Sequence, residues 1–129
     1  MRLALLTGLL SLTAAAAPAR LAVAYFDNAS GDATLTPLGR GLADMLITDL
    51  SNVEALQLVE REKLNLALDE LKLSQSKFID PKNALKLGKG LSARYLLVGS
   101  FTVVTENMQL TARLLDVPQG KVVFSEGVN

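Results

Sequence analysis

A single small α/β (α+β) domain is the fold class this sequence predicts: a mixed sheet with helices packed mainly on one face, in the order β-α-β-α-α-β-β-β. Three observations predict it. Short apolar runs alternate with stretches of helical periodicity through the first two thirds of the chain. Three strand-like segments joined by turn formers follow. The chain has 129 residues and no cysteine, so it must close on one hydrophobic core without a disulfide framework.

The first nineteen residues stand apart from that domain. Arg2 is a short positive region, Leu3 to Leu12 is apolar, and Ala14 to Ala19 ends in Ala17-Pro18-Ala19, an A-x-A pattern. The apolar run falls short of the roughly 20 residues that span a bilayer. Residues 1–19 are read as a Sec-type signal peptide cleaved after Ala19, leaving a domain over 20–129. Cleavage after Ala17 would instead start the mature chain on Pro18. The mature chain would carry 12 basic and 13 acidic residues, a net charge near −1. No second apolar segment is long enough to predict a transmembrane helix.

The elements follow in order. Leu21 to Phe26 is a nearly continuous apolar run, read as a buried strand. Asp27 to Asp32 is rich in turn formers. Thr36-Pro37 starts the first helix, about 37–52, with Thr36 as N-cap and Pro37 at the first helical position. Leu38, Leu42, Met45, Leu46 and Leu50 recur at helical spacing. Leu56 to Val59 is a short strand. Glu60 to Lys63 opens a second helix, whose stripe is Leu64, Ala67, Leu68 and Leu71, and residues 74–79 read as a linker. Asp80-Pro81 starts a third helix with Ala84, Leu87, Gly88 and Leu91 on one face. Residues 94–105 form a long strand, Glu106-Asn107 a turn and 108–117 the next strand. There Leu110, Ala112 and Leu114 alternate with Gln109, Thr111 and Arg113. Pro118-Gln119-Gly120 turns into a last strand over 121–125.

The missing residue types constrain chemistry most. With no histidine and no cysteine, the chain excludes histidine acid–base catalysis, Ser-His-Asp and Cys-His sites, and zinc held by His or Cys. It also has no cysteine to acylate. Gly39-Arg40-Gly41 has dinucleotide-motif letters, but they lie inside a helix rather than in a strand-to-helix turn. They read as small residues that let the helix approach the sheet. Gly88 to Ser92 has P-loop letters running from helix to strand, which would offer carbonyls rather than N–H groups to a phosphate, and reads as a helix C-cap. Asp27, Asn28, Ser30 and Asp32 could ligate calcium through oxygen, yet an Asx-turn accounts for them. Glu60, Glu62, Asp69 and Glu70 beside Arg61 and Lys63 read as a solvated face with i,i+4 pairs. Lys82, Lys86 and Lys89 read as another.

No catalytic, cofactor-binding or metal-ligating residue is therefore assigned, and no cofactor is expected. No basic patch supports a nucleic-acid partner. One catalytic class stays open to a chain of this composition: a cell-wall glycan hydrolase using paired carboxylates, Asp27 with Asp32 or with Asp44.

The segments 23–51 (VAYFDNASGDATLTPLGRGLADMLITDLS), 56–80 (LQLVEREKLNLALDELKLSQSKFID), LGKGLSARYLLVGSF and LTARLLDVPQGKVV resemble, in order and spacing, the CsgG-type (curli assembly/transport) domain family. That family is related to FlgO-like, LpoB-like and TolB N-terminal-like periplasmic domains. The resemblance implies a non-enzymatic domain of the cell envelope, in the periplasm and associated with the outer membrane. Its partner would be another envelope protein or a second copy of itself. Many relatives carry a further helix after the last strand. Without one, apolar surface or a strand edge would be left available, with Leu110, Leu114, Val122 and Phe124 the side chains to watch.

Overall fold

The structure, a computed structural model, describes residues 18–72 and 81–128. The proposed leader up to residue 17, the linker at 74–79 and the Asp80 cap lie outside the described residues. The strands are β1 (Ala19–Val23), β2 (Asp27–Asn28), β3 (Leu56–Leu58), β4 (Tyr95–Val104), β5 (Asn107–Asp116) and β6 (Lys121–Val128). The helices are α1 (Pro37–Leu50), α2 (Arg61–Glu70) and α3 (Pro81–Gly90), with a 3-10 turn at Ala33–Leu35. The predicted order holds, with β2 and the 3-10 turn added. No helix among the described residues is long and apolar enough to cross a membrane.

The six strands among the described residues form one mixed sheet in the order β3-β1-β4-β5-β6, with β2 beside β4. The β1, β3 and β4 strands run parallel, whereas β4-β5-β6 is an antiparallel meander. Because β1 lies between β3 and β4, the chain crosses first one way and then back. Two right-handed crossovers in opposite directions must use opposite faces. Accordingly α1 lies on the face that carries Phe101, where Gly39 meets its ring. Arg20, which points to the other face, donates from Nε to the carbonyl of Leu91 just after α3 at 2.9 Å. Two of the three helices thus share a face, as expected, and the third covers the opposite one. Leu21, Ala22 and Val23 are consequently all buried in sequence, the mark of a parallel strand covered on both sides.

The step from β1 to β2 contains an extra residue. Val23 pairs with Leu97 and Asp27 with Ser100, so four steps on one strand match three on the other. This bulge reverses the alternation and turns Phe26 onto the Phe101 face, above Gly99. A Cβ on Gly99 would lie 2.5 Å from the Phe26 ring. Phe26, Phe101, Leu64, Leu68, Leu87 and Leu96 are core residues no more than 4% exposed.

The α1 helix departs from its predicted stripe. Leu38 and Met45 are 40% and 63% exposed, and the residues fully covered are Gly39 and Ala43. The reason is a backbone contact: the Phe26 N–H donates to the Gly39 carbonyl at 3.1 Å. Large side chains are excluded from that line, and Leu42, Leu46, Ile47 and Leu50 pack around it. Thr36 makes no side-chain cap; its backbone is already helical, and Asp32 caps the preceding 3-10 turn instead. The stripes of α2 and α3 fall where predicted, with Leu64, Ala67, Leu68, Ala84, Leu87 and Leu91 buried. Lys82, Lys86 and Lys89 are exposed.

Gly88 to Ser92 does form a C-cap. The Ala93 N–H reaches the Gly88 carbonyl and the Ser92 N–H the Lys89 carbonyl, the two bonds of a Schellman motif. The left-handed residue is Ser92 (φ 54°), not either glycine. Gly88 serves packing: a Cβ there would lie 2.5 Å from Val117. The β4–β5 turn is Thr105-Glu106, one residue earlier than predicted, because Val104 pairs with Asn107. Thr105 adopts φ 58°, a region that disfavours β-branched side chains. Thr105→Gly is therefore expected to stabilise the fold by about 0.5 kcal/mol, the relieved strain being partly offset by glycine's greater unfolded-state entropy. Urea unfolding would measure it, and destabilisation would show that Thr105 is unstrained.

An exposed strand edge as the candidate functional site

The open end of the sheet is built by β5 and β6. The register places Met108, Leu110, Ala112 and Leu114 of β5 on the Phe101 face, with Phe124, Glu126 and Val128 of β6 beside them. The principal strand contacts of α1 are with β1, β2 and β3, not with this end of the sheet. Leu110 and Leu114 stay half-buried. Val122, Val123, Phe124 and Val128 are 43%, 46%, 55% and 55% exposed. Every residue of β6 is exposed. Among the described residues only β5 pairs with it, leaving a full row of backbone groups on its outer edge. All four side chains marked in the sequence lie in this region, although Leu110 and Leu114 also contribute to the core.

The β5–β6 hairpin is held at its base by one buried carboxylate. Asp116 accepts from the Gln119 N–H at 3.1 Å and from Arg94 Nη2 at 3.2 Å. Its side chain is 5% exposed, and leaving such a charge unpaired would be costly. The Arg94 guanidinium also lies 5.0 Å from the Tyr95 ring centroid, within cation–π reach. Gly120, at φ 68°, closes the turn with an N–H bond to the Asp116 carbonyl at 2.8 Å. The sequence signal for this anchor was the D-x-x-x-G spacing; the Arg94 partner, 22 residues earlier, carried none.

The oxygen-rich loop is used locally. Asn28 Oδ1 accepts from the Ser30 N–H at 2.9 Å and from the Ser30 hydroxyl, while its amide donates to the Asp32 carbonyl at 2.7 Å. Asp32 accepts from the Thr34 hydroxyl at 2.6 Å and the Thr34 N–H at 3.0 Å. These bonds, the hydroxyl's first, hold its carboxyl below the usual carboxylate range. Thr34→Val should therefore raise the Asp32 pKa toward an ordinary value, read by NMR titration of the carboxyl carbon; an unchanged titration would remove the hydroxyl as the cause. Asp44 is paired with Arg61, whose Nε donates to Oδ1 at 3.1 Å and whose Nη2 donates to Oδ2. This replaces the within-helix pairing expected for Arg61 and ties α1 to the start of α2. Of the carboxylates considered for glycan hydrolysis, Asp32 and Asp44 thus have structural partners.

Shallow clefts also lie among the described residues. One, of about 270 Å³, lies between α2 and α3 beside Arg20, Lys63, Leu66 and Glu70. Another, of about 380 Å³, is lined by the Asp44–Arg61 pair with Ile47, Thr48 and Glu62. Both are open and of mixed polarity, unlike the concave, largely apolar sites that bury small ligands.

The fold is similar to the LpoB C-terminal domain from Salmonella enterica (21% identity, TM-score 0.70), covering 95% of this chain and 89% of that one. It is similar to lipoprotein GNA1162 from Neisseria meningitidis (18% identity, TM-score 0.67), covering 86% and 78%. It is also similar to the PelC dodecamer from Paraburkholderia phytofirmans (16% identity, TM-score 0.55), covering 87% and 71%. No functionally curated protein is matched. The family profile for "Curli production assembly/transport component CsgG" matches residues 3–109, ending within β5 and before β6. That match spans most of the chain and agrees with the resemblance read from the sequence segments: the protein belongs to the CsgG family.

Proposed function

We propose that this protein is an exported, non-catalytic assembly module of the cell envelope, working in the periplasm or at the outer membrane's inner face. It binds another envelope protein or a second copy of itself. The observation that carries this reading is the β6 edge, a fully exposed strand with an apolar row beside it on the sheet. Soluble proteins blunt or cover such edges unless they use them, and strand addition is a common mode of recognition. The absence of histidine and cysteine, and the pairing of Asp32 with Thr34 and of Asp44 with Arg61, support a binding rather than a catalytic role. Family membership and likeness to an LpoB domain support the envelope setting. The PelC structure is a dodecamer, which supports self-assembly on this scaffold.

The test is fractionation of the native host followed by intact-mass measurement. A periplasmic or membrane-associated species beginning at Arg20 is expected. Of β1 (Ala19–Val23), that cut would remove Ala19 with its bond to the Ala55 carbonyl. A full-length cytoplasmic species would overturn the compartment and with it the envelope role.

A further inference from the structure

We propose that the β6 edge pairs with β6 of a second copy, antiparallel about a two-fold axis, in the register that sets Lys121 of each strand against Glu126 of the other. The inference deepens the proposed binding role and rests on it. Two-fold pairing of like strands requires that residues facing each other lie on the same side of the sheet. In an unbroken strand Lys121 and Glu126, five residues apart, would lie on opposite sides. In this strand they do not. The register with β5 shifts between Leu114 and Leu115, where Leu114 faces Phe124 but Leu115 faces Val122. Val123 is the extra residue of a bulge, and it restores the parity. Lys121, facing Asp116, and Glu126, facing Ala112, share the Phe101 side. Val122, facing Leu115, and Ser125, facing Arg113, share the other.

In the proposed register Lys121 meets Glu126, Val122 meets Ser125 and Val123 meets Phe124, each pair occurring twice. Both strands run the same number of residues between Lys121 and Glu126, so each Val123 faces a Phe124 across the axis and neither is left unpaired. The charges sit at the ends of the paired segment and its centre is the exposed Val123 and Phe124. Other registers lose this match. A slip by two residues sets Glu126 against Val123 or Gln119, and centring the axis on Glu126 or Lys121 opposes like charges, which is unfavourable. The bulge and the charges, devices that discourage indiscriminate edge pairing, thus admit one self-complementary partner. The row of Leu110, Leu114, Phe124 and Val128 would become continuous across the two copies.

The test uses the purified protein at graded concentrations in sedimentation equilibrium, with Glu126→Lys, Lys121→Glu and the double charge swap. A reversible dimer is expected, weakened on the order of tenfold or more by either single change and restored by the double swap, which also shows that the singles fold. Dimerisation unaffected by Glu126→Lys, or lost in the singles without recovery in the double swap, would overturn this register. In the host, a photo-cross-linking residue at Val123 distinguishes the remaining cases. Capture of a second copy supports the inference. Capture of a different envelope protein overturns it and leaves the proposed function standing. No capture, with a monomer at every concentration, overturns both.

Discussion

Gly39→Ala is expected to destabilise the protein by about 3 kcal/mol, enough to remove much of the stability of a domain this size. An ideal Cβ at Gly39 lies 1.9 Å from the Phe26 carbonyl oxygen and 3.0 Å from its carbon. Both are backbone atoms, so no rotamer change relieves the clash. The helix must move away, stretching the 3.1 Å bond from the Phe26 N–H to the Gly39 carbonyl and lifting α1 from Phe101. The intrinsic gain of about 1 kcal/mol for replacing glycine in a helix works against this and is already included. The control is Gly41→Ala, where nothing lies within 4 Å of the added carbon; that change should stabilise by up to about 1 kcal/mol. Urea unfolding of both variants decides the matter. Equal effects would mean that α1 does not rest on the β1–β2 bulge through Gly39.

Phe101→Ala is the second large expectation, at about 3–5 kcal/mol. The ring is 1% exposed and lies 3.5 Å from the Cβ position of Gly39, joining the sheet to α1. Removing it leaves a cavity that Phe26 cannot fill without abandoning its place over Gly99. Phe124→Ala, at a ring 55% exposed, should change the stability of the monomer by only about 0.5 kcal/mol or less. If the two substitutions cost the same, either Phe124 is covered in solution or Phe101 is misplaced in the core. Thermal melts at low protein concentration would separate the fold's need for Phe101 from any role of Phe124 in association.

Much of the fold was legible because its signals are local. Period-two alternation marked β5, and the stripes of α2 and α3 named their buried residues. Pro37 and Pro81 marked two helix starts. The errors share one physical cause. Met45 and Leu38 fit a helical stripe as well as Ala43 does; Gly39 and Gly41 both read as small residues that let the helix approach the sheet, and only the fold shows that Gly39 is the one the Phe26 backbone meets. Small residues carry little hydrophobic signal, yet close backbone approach selects them. The role of Arg61 was missed for the same reason: Asp44 and Arg61 are 17 residues apart and meet only once both helices are placed.

The candidate surface was half legible. The strand side chains could be named, because apolar residues alternating in the last two strands must face something. Whether a helix covered them depended on how far α1 reaches across the sheet, and the β6 bulge is set by its pairing with β5.

By itself the sequence determined the fold class, the order of elements and the lack of histidine or cysteine chemistry, because composition and periodicity are properties of the chain alone; the family followed from the resemblance of its segments and the profile match. The tertiary structure decided which helix face is buried, which carboxylates are already partnered, and that Lys121 and Glu126 share one side of an open edge. Those depend on strand order, bulges and backbone contacts between distant segments, which exist only once the chain has folded.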